Sequence, residues 1–373
     1  MNNYSSILAK YKYPIMYIML TSINYKIYYV RSMFYMKKRI LYLDIIKVLA
    51  LSFVIFNHCD DILISSYMYI RIIHNSLFYL SKSAVPLFLM VSGALLMDKN
   101  DSISKIFKRI IRVLIPLIII TIIWTMTHAK NINILCMIDP FNVNYFPYWL
   151  WYLQAIILVY ILMPLIRKIT LKFKKSSIEW RKYKIIIITL TTLFSIAFTI
   201  YNIIFKKNMM IVTNLLPMPI LYFIYGYILS KEKISKKVKN ISIIALLFTL
   251  TIPTFIATKL MLLKQSYFFL DDYRNIYTFI ITASLFIIIK YYFENYNKEN
   301  KFTKLIHHLS NNSYGIYLLH VFVIEYMLNT SFMKELIEFN KLEATFVLII
   351  LVVIILDIIM SILKHIPGIK KIL

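Results

Sequence analysis

The sequence has few of the residues that build metal, redox or nucleotide sites. Its 373 residues include four glycines and two cysteines. The cysteines, Cys59 and Cys136, are too few and too far apart to suggest a disulfide framework or a metal site, so no metal is expected. The sequence contains no Walker motif, glycine-rich nucleotide loop, HExxH or CxxC. An ATP-driven pump or a zinc enzyme is therefore unsupported.

Acidic residues are also scarce. Against 43 lysines and arginines there are 17 aspartates and glutamates, which gives a formal net charge of +26. Such an excess could indicate a nucleic-acid binder, because basic patches attract phosphate. Here the basic residues lie in the gaps between apolar segments, and their number alternates along the chain. This pattern fits membrane topology better, so no nucleic-acid partner is expected.

Apolar residues are abundant. They make up 60% of the chain, and the mean hydropathy is +0.70. A soluble domain is usually near half apolar, so this composition indicates a protein built for the lipid bilayer. Ten segments have the length, roughly 17 to 23 residues, that a bilayer core demands. They lie near residues 41–59, 77–97, 111–128, 148–166, 185–205, 211–230, 241–261, 273–293, 313–329 and 345–363.

The gaps between these segments carry an alternating load of lysine and arginine. Residues 98–112, 167–184, 231–240 and 290–304 hold between four and eight each, whereas the intervening gaps hold one or two. By the positive-inside rule, both termini are cytoplasmic. We therefore predict an all-α, polytopic membrane protein with about ten transmembrane helices. An excess of Ile, Lys, Asn and Tyr indicates an AT-rich bacterial genome, and we expect the protein in the bacterial cytoplasmic membrane.

The chain is predicted to hold one membrane-embedded domain, residues 36–373, because no gap is long enough for a separate soluble domain. Residues 1–35 are weakly apolar and lack the clean apolar core of a signal peptide. The run Met36-Lys37-Lys38-Arg39 is typical of a protein start, so we interpret residues 1–35 as an upstream extension. An interfacial helix is the alternative.

The stretch 39–58 is predicted to be an apolar helix with three ionisable residues, Asp44, Lys47 and His58. Lys47 and His58 are eleven positions and three turns apart, so they share a face, and Asp44 is close enough to pair with Lys47. A charge facing lipid is unfavourable, so this face should point to the protein interior or to a water-filled cavity. A buried neutral imidazole accepts a proton from a hydroxyl, which attack on a thioester requires. A helix-to-helix hydrogen bond is the structural alternative for His58.

Four other residues are candidates for the site. Arg109 and Arg112 are spaced i, i+3, so the pair is suited to phosphates of a nucleotide-bearing donor, or it is a positive-inside anchor. Ser92, beside Gly93, favours close helix packing over a substrate contact. His320 has a structural and a functional interpretation of equal weight.

Aromatic residues open the fourth segment. Trp149, Trp151 and Tyr152 fit an aromatic belt at the outer membrane interface, and the same residues would stack against a sugar. Composition does not separate the two interpretations.

These stretches together resemble acyltransferase family 3, the multi-pass O-acyltransferases of bacterial surface glycans. Lys47 and His58 match the first-helix pattern of a basic residue, ten residues and a histidine, and Arg109-Ile-Ile-Arg112 matches an Arg-x-x-Arg element. Three more stretches resemble family segments in the expected order: Val-Pro-Leu-Phe with Ser-Gly-Ala-Leu-Leu, Trp-Tyr-Leu, and Ser-Tyr-Gly-Ile-Tyr-Leu-Leu-His. The resemblance covers residue 36 to the C-terminus.

The resemblance implies an acyl-CoA donor, with acetyl-CoA favoured, bound from the cytoplasm, and a hydroxyl acceptor on a polysaccharide or lipid-linked sugar. His58 would be the catalytic base and Lys47 its partner, while Arg109 and Arg112 would contact the donor. Residues expected to contact substrate are Asp44, Ser92, Trp151 and His320. Further expected partners are the lipid bilayer and either a second copy of the chain or polysaccharide-assembly proteins. A transporter or flippase for a glycan intermediate is the alternative function, and a structural scaffold is disfavoured.

Overall fold

The computed structural model describes residues 39–64, 67–128, 147–205, 217–265 and 270–366. Of these residues, 85% are helical and none lies in a strand, which confirms the all-α class. The chain divides into residues 1–40 and residues 41–373, and the second unit holds the helices described below. The predicted extension 1–35 and Cys136 lie outside the described residues.

Twelve α-helices are present in the described part of the chain, and two short 3-10 helices cover Asp60–Leu63 and Tyr148–Leu150. In chain order the α-helices are α1 Leu41–Phe56, α2 Met68–Ser81, α3 Ala84–Leu96, α4 Ile103–His128, α5 Trp151–Phe173, α6 Ser177–Phe205, α7 Met218–Lys231, α8 Lys236–Leu262, α9 Ile276–Phe293, α10 Lys301–Leu328, α11 Ser331–Phe339 and α12 Lys341–Leu363.

Each of the ten predicted segments overlaps one of these helices, but not every helix has the length of a span. Within the described residues, seven helical stretches are long and apolar enough to cross a membrane, counting α2 and α3 together. The number becomes eight if α10 and α11, which meet at a 78° bend, form one span. The short helices α1 and α7 have 16 and 14 residues. The total of ten spans therefore stays a prediction.

Contacts between helix termini form two groups, which define two ends of the bundle. At the histidine end, His58 lies against the ring of His320, Asn57 bonds to Ser81, and Lys82 pairs with Asp271. At the arginine end lie Asp44, Arg109, Arg167, Lys290 and Ser310, joined by the contacts described below. Both the start of α1 and the end of α12 contact the same stretch of α10, Ser310 to Asn312, so both lie at the arginine end.

Two glycines allow α3 and α7 to pack backbone to backbone. A Cβ added at Gly93 would lie 1.8 Å from the carbonyl oxygen of Phe223, and one at Gly226 would lie 2.1 Å from that of Met90. No side chain fits at such distances. The packing interpretation of the Ser92-Gly93 pair is therefore confirmed for Gly93, and the contact holds α3 beside α7.

A fully buried lysine completes the end of α7. The last carbonyls of a helix have no partner within it. Lys290 on α9 donates from Nζ to the carbonyl oxygens of Leu229, Ser230 and Glu232, at 2.8, 2.9 and 2.7 Å. Its charge also pairs with Glu294 at 3.2 Å. One side chain therefore satisfies the end of α7 and joins it to α9.

The first helix is shorter than predicted. It ends at Phe56, and His58 lies in the following turn, where its backbone N–H donates to the carbonyl of Ile55 at 3.1 Å. The expectation of a helix through His58 is wrong for its last two residues. Because the turn is fixed by neighbouring elements, the position of His58 depends on tertiary contacts.

Candidate active site

Two histidines from distant parts of the chain meet at the histidine end. The ring centroids of His58 and His320 are 4.9 Å apart, with the planes tilted by 50°. His58 also contacts the ring of Tyr148, at 5.5 Å between centroids. The structure therefore brings together the two histidines that the sequence analysis proposed separately.

Hydrogen bonding fixes the tautomer of neutral His320. Its Nδ1 lies 2.7 Å from the carbonyl oxygen of Tyr317, which can only accept, so Nδ1 carries the proton. In the neutral ring, Nε2 then holds a lone pair. His320 is fully buried, and its Nε2 has no hydrogen-bond partner among the described residues. A buried acceptor without a donor is unfavourable unless a ligand, water or neighbouring N–H approaches it.

A cavity of about 370 Å³ opens beside His58. Its polar lining comes from the turn after α1, the α2–α3 junction and the segment before α9. Apolar groups of α1 and α3 and five aromatic side chains complete the walls. The lining residues are Val54, Asn57, His58, Ser81, Lys82, Ala84, Val85, Tyr148, Trp149, Trp151, Asp271, Asp272, Tyr273, Arg274 and Tyr317. A polar cavity of this size beside an imidazole is suited to a small hydroxylated ligand.

Ion pairs stiffen the wall before α9. Lys82 Nζ lies 2.7 Å from Asp271 Oδ1. Arg274, almost fully buried, donates from Nε to Asp272 Oδ1 at 2.8 Å, and its guanidinium stacks on the Phe198 ring at 4.5 Å. Because each charge in the wall has an opposite charge beside it, the cavity is polar without a strong net charge.

Two of the aromatic residues around the start of α5 do not face lipid. Trp149 is 2% exposed and Tyr152 9%, so both are buried in the protein. The belt interpretation is therefore wrong for these two residues, because interfacial anchors must reach the membrane surface. Trp151 lines the cavity and packs on Tyr273 at 4.9 Å between ring centroids. The contact of Trp151 with substrate stays a prediction, and the cavity that Trp151 lines is where such a contact would take place.

At the arginine end, the predicted arginine pair is divided between two environments. Arg109 donates to Asp101 Oδ2 at 2.9 Å, and Arg167 donates to the same oxygen at 3.1 Å. Arg112 is exposed. Burial alone raises the pKa of the Asp101 carboxyl, but the hydrogen bond from Arg167 and the charges of both arginines outweigh burial and hold the pKa below its usual range. Two arginines on one carboxylate leave a net positive charge at this end.

Lys47 lies far from His58. It contacts Asp44 Oδ1 at 3.5 Å, as predicted, and Ser310 Oγ at 3.4 Å. Eleven residues of helix place it about 16 Å from the level of His58. Lys47 therefore makes no direct pair with the catalytic candidate, and its expected role as partner of His58 would have to act through the rest of α1.

Asp44 is enclosed by protein partners. Its Oδ1 accepts from Ser310 Oγ at 2.5 Å, and its Oδ2 lies 2.8 Å from His307 Nδ1. The residue is 7% exposed. The prediction that the charged face of α1 points inward is therefore confirmed for Asp44. A direct contact of Asp44 with substrate remains a prediction, because its known contacts join α1 to α10.

Tyrosines connect the two ends through the bundle interior. Tyr314 Oη donates to the Arg112 carbonyl at 3.4 Å. Six residues further along α10 lies His320, about 9 Å higher by helix rise. Tyr317 lies between them, with its ring 5.6 Å from Tyr152 and 5.8 Å from His320. The interior between Arg112 and the histidines therefore has hydroxyl groups along its length.

We call Tyr152, Tyr314 and Tyr317 the tyrosine path, and Ser92 lies beside it. The Ser92 side chain lies near the hydroxyl of Tyr152 on α5, and Tyr160 on the same helix lies near Arg109 and Arg112. The contact of Ser92 with substrate remains a prediction, but the residue does lie between the two ends.

Sequence reasoning missed several groups at both ends. Lys82 and Asp271 line the cavity, while Asp101 and Arg167 form the ion cluster. Asp101, Arg167 and Asp271 lie in gaps between the predicted segments, where charged residues are expected, and Lys82 lies inside the predicted segment 77–97. Their separation in sequence gave no signal that they pair. Among the described residues, no group of three or more histidines, cysteines and carboxylates could hold a metal ion.

Fold and site together define a class: a helical membrane protein in which two histidines in ring contact adjoin a polar cavity, with the groups for base chemistry on a hydroxyl. A family model described as an acyltransferase domain matches residues 40–363, so the chain belongs to acyltransferase family 3 and is a membrane acyltransferase. No curated protein and no solved structure matches the chain significantly.

Proposed function

We propose that the protein transfers an acyl group, with acetyl favoured, from cytoplasmic acyl-CoA to a hydroxyl of a surface polysaccharide or lipid-linked sugar. The observation that carries the proposal is the pairing of His58 with His320 beside a polar cavity. The family membership supports acyl transfer in general. The bacterial cytoplasmic membrane is the proposed location.

In this proposal the donor docks at the arginine end. Exposed Arg112 and the Arg109–Arg167 cluster provide the positive charge that phosphates of CoA require. A second cavity, of about 560 Å³, adjoins Asp101 and Arg167 and has room for part of the nucleotide. From there the thioester arm would follow the tyrosine path, a short distance because Arg112 contacts Tyr314, six residues from His320.

The acceptor would occupy the cavity at the histidine end. Its aromatic and polar lining suits a sugar, which presents apolar faces and hydroxyl edges. His58 would take the proton from the acceptor hydroxyl as oxygen attacks the thioester carbon. The carbon–sulfur bond then breaks, and protonated His58 returns the proton to the departing thiolate. His320 would fix the orientation of His58 or accept a hydrogen bond through Nε2.

The direct test compares wild type with His58→Ala in cells that lack the native protein, at matched membrane levels. We expect loss of acetyl ester from the surface glycan, because the variant removes the proposed base, while glycan export continues. His365→Ala is the matched control: His365 is exposed near the end of α12, and its variant should retain wild-type acetylation.

Persistent acetylation with failed export would overturn the proposal and favour the transporter alternative. Equal loss of acetyl ester in both histidine variants would also contradict a specific role of His58.

A further inference from the structure

A lysine that the motifs do not include lies beside the paired histidines. Lys82 lies between α2 and α3 and lines the same cavity as His58. The residues that precede Lys82 and His58 are hydrogen-bonded to each other, so the two groups are near each other. The side chain is 16% exposed. A cation this well covered, facing a reaction cavity, interacts more strongly with nearby charge than a surface lysine does.

The structure fixes Lys82 relative to His58. The preceding residues of both are joined by reciprocal hydrogen bonds: Asn57 Nδ2 donates to the Ser81 carbonyl at 3.0 Å, and Ser81 Oγ donates to Asn57 Oδ1 at 2.9 Å. This pair joins the turn after α1 to the end of α2. The Asn57–Ser81 hydrogen bonds therefore fix His58 and Lys82 relative to each other. Preorganised catalysis needs such a fixed arrangement.

Two more contacts orient the ammonium group. Asp271 Oδ1 lies 2.7 Å from Lys82 Nζ, and the Phe78 ring centroid lies 3.9 Å from it. An ammonium has three N–H donors. After the carboxylate and the ring face, one donor is left over for the cavity that Lys82 lines.

We propose that Lys82 is a further catalytic residue, which donates a hydrogen bond to the oxyanion formed when the acceptor attacks the thioester. The inference rests on the proposed function. As His58 takes the hydroxyl proton, the carbonyl π electrons move onto oxygen, and the N–H of Lys82 stabilises that charge without transferring its proton. When the carbonyl reforms, the carbon–sulfur bond breaks and His58 protonates the thiolate.

The test measures thiol release from acetyl-CoA by the full chain in proteoliposomes, with methyl glucoside as the hydroxyl probe and the ester product identified by mass spectrometry. Lys82→Met should lower kcat about 100-fold or more, the effect of removing one oxyanion donor, with an unchanged KM for acetyl-CoA. Lys82→Arg, which keeps a charged donor, should recover at least tenfold of that loss. Added ethylammonium should partly restore Lys82→Ala.

Asp271→Asn separates catalysis from structure. It removes the ion pair but keeps Lys82, so kcat should fall only a few-fold. Equal losses in Asp271→Asn and Lys82→Met, or a loss in Lys82→Met that neither arginine nor ethylammonium reduces, would show that Lys82 serves only the ion pair. Wild-type rate in Lys82→Met would overturn the inference alone, whereas an inactive wild type would overturn the proposed function with it.

Discussion

At the scale of single residues, the chemistry of each polar side chain follows from its partners. His320 has one ring nitrogen held by a carbonyl and the other without a hydrogen-bond partner in the described part of the protein. Asp44 has both carboxylate oxygens engaged. Buried polar groups that have all their hydrogen-bond partners stabilise the fold. A buried polar group without a hydrogen-bond partner indicates a place for a ligand. By this criterion His320 Nε2 indicates a place for a ligand at the histidine end.

Asp101 should make stability depend on pH. Its folded-state pKa is held below the usual value, so its contribution is fully present above the unfolded pKa, about 3.9, and is lost as pH falls through the folded pKa. Asp101→Asn should lower the free energy of unfolding by about 1–3 kcal/mol at neutral pH, because two arginines lose a charged partner. Thermal unfolding in detergent at several pH values measures the difference, which should shrink below about pH 4.

Glu299→Gln is the control for this series. Glu299 is exposed, and the variant should unfold like wild type at each pH. A deficit in Asp101→Asn that stays constant into acid would contradict the assigned role of the carboxylate charge.

At the scale of helices, the short elements depend on tertiary contacts. Helix α7 has 14 residues, is in backbone contact with α3, and has its last carbonyls satisfied by Lys290. Helix α1 ends two residues before His58, in a turn joined to α2 through Asn57 and Ser81. Such ends need partners from other elements, because the last carbonyls of a helix have none within it. The position of His58 therefore depends on the hydrogen bonds that join the turn after α1 to α2.

Lys290→Met should destabilise the protein by about 3 kcal/mol or more, because it leaves three carbonyl oxygens at the end of α7 without a donor. The melting temperature in detergent measures the loss. Lys237→Met on α8 is the matched control, because Lys237 is exposed and should tolerate the change. Equal melting temperatures for the two variants would show that the carbonyls find other donors.

At the scale of the whole molecule, the two ends of the bundle separate the proposed functions. Contacts group the starts of α1 and α10 with the ends of α9 and α12 at the arginine end. The histidine end holds the cavity in which we propose that the acceptor binds. The alternating lysine and arginine load predicts that the arginine end is cytoplasmic. Donor binding and acyl acceptance would then take place on opposite sides of the membrane.

Cysteine labelling in intact cells tests this orientation. In a chain with Cys59→Ser and Cys136→Ser, a cysteine at Ser177 should react with a membrane-impermeant maleimide only after permeabilisation, because it starts α6 at the arginine end. A cysteine at Ser331, at the start of α11, should react in intact cells. Both serines are exposed, so access to the side chain is not limiting. The reverse labelling pattern would invert the topology, and labelling of both from one side would exclude an alternating bundle.

The sequence by itself determined the all-α class, the positions of the apolar segments and the inward-facing charge of Asp44. These follow from hydropathy and from the unfavourable energy of charge in lipid, which are properties of local sequence. It also identified His58 and His320 as candidates, but not as neighbours.

Tertiary structure alone decided which groups meet. His58 contacts His320 from the other end of the chain, Ser310 bonds to Asp44 across 266 residues, and Lys82 reaches the cavity through a joint between two helices. It also separated Lys47 from His58, since residues that share a helix face can still be three turns apart along it. Helix packing fixes such long-range pairs, and periodicity within one segment carries no information about the partner that a second segment provides.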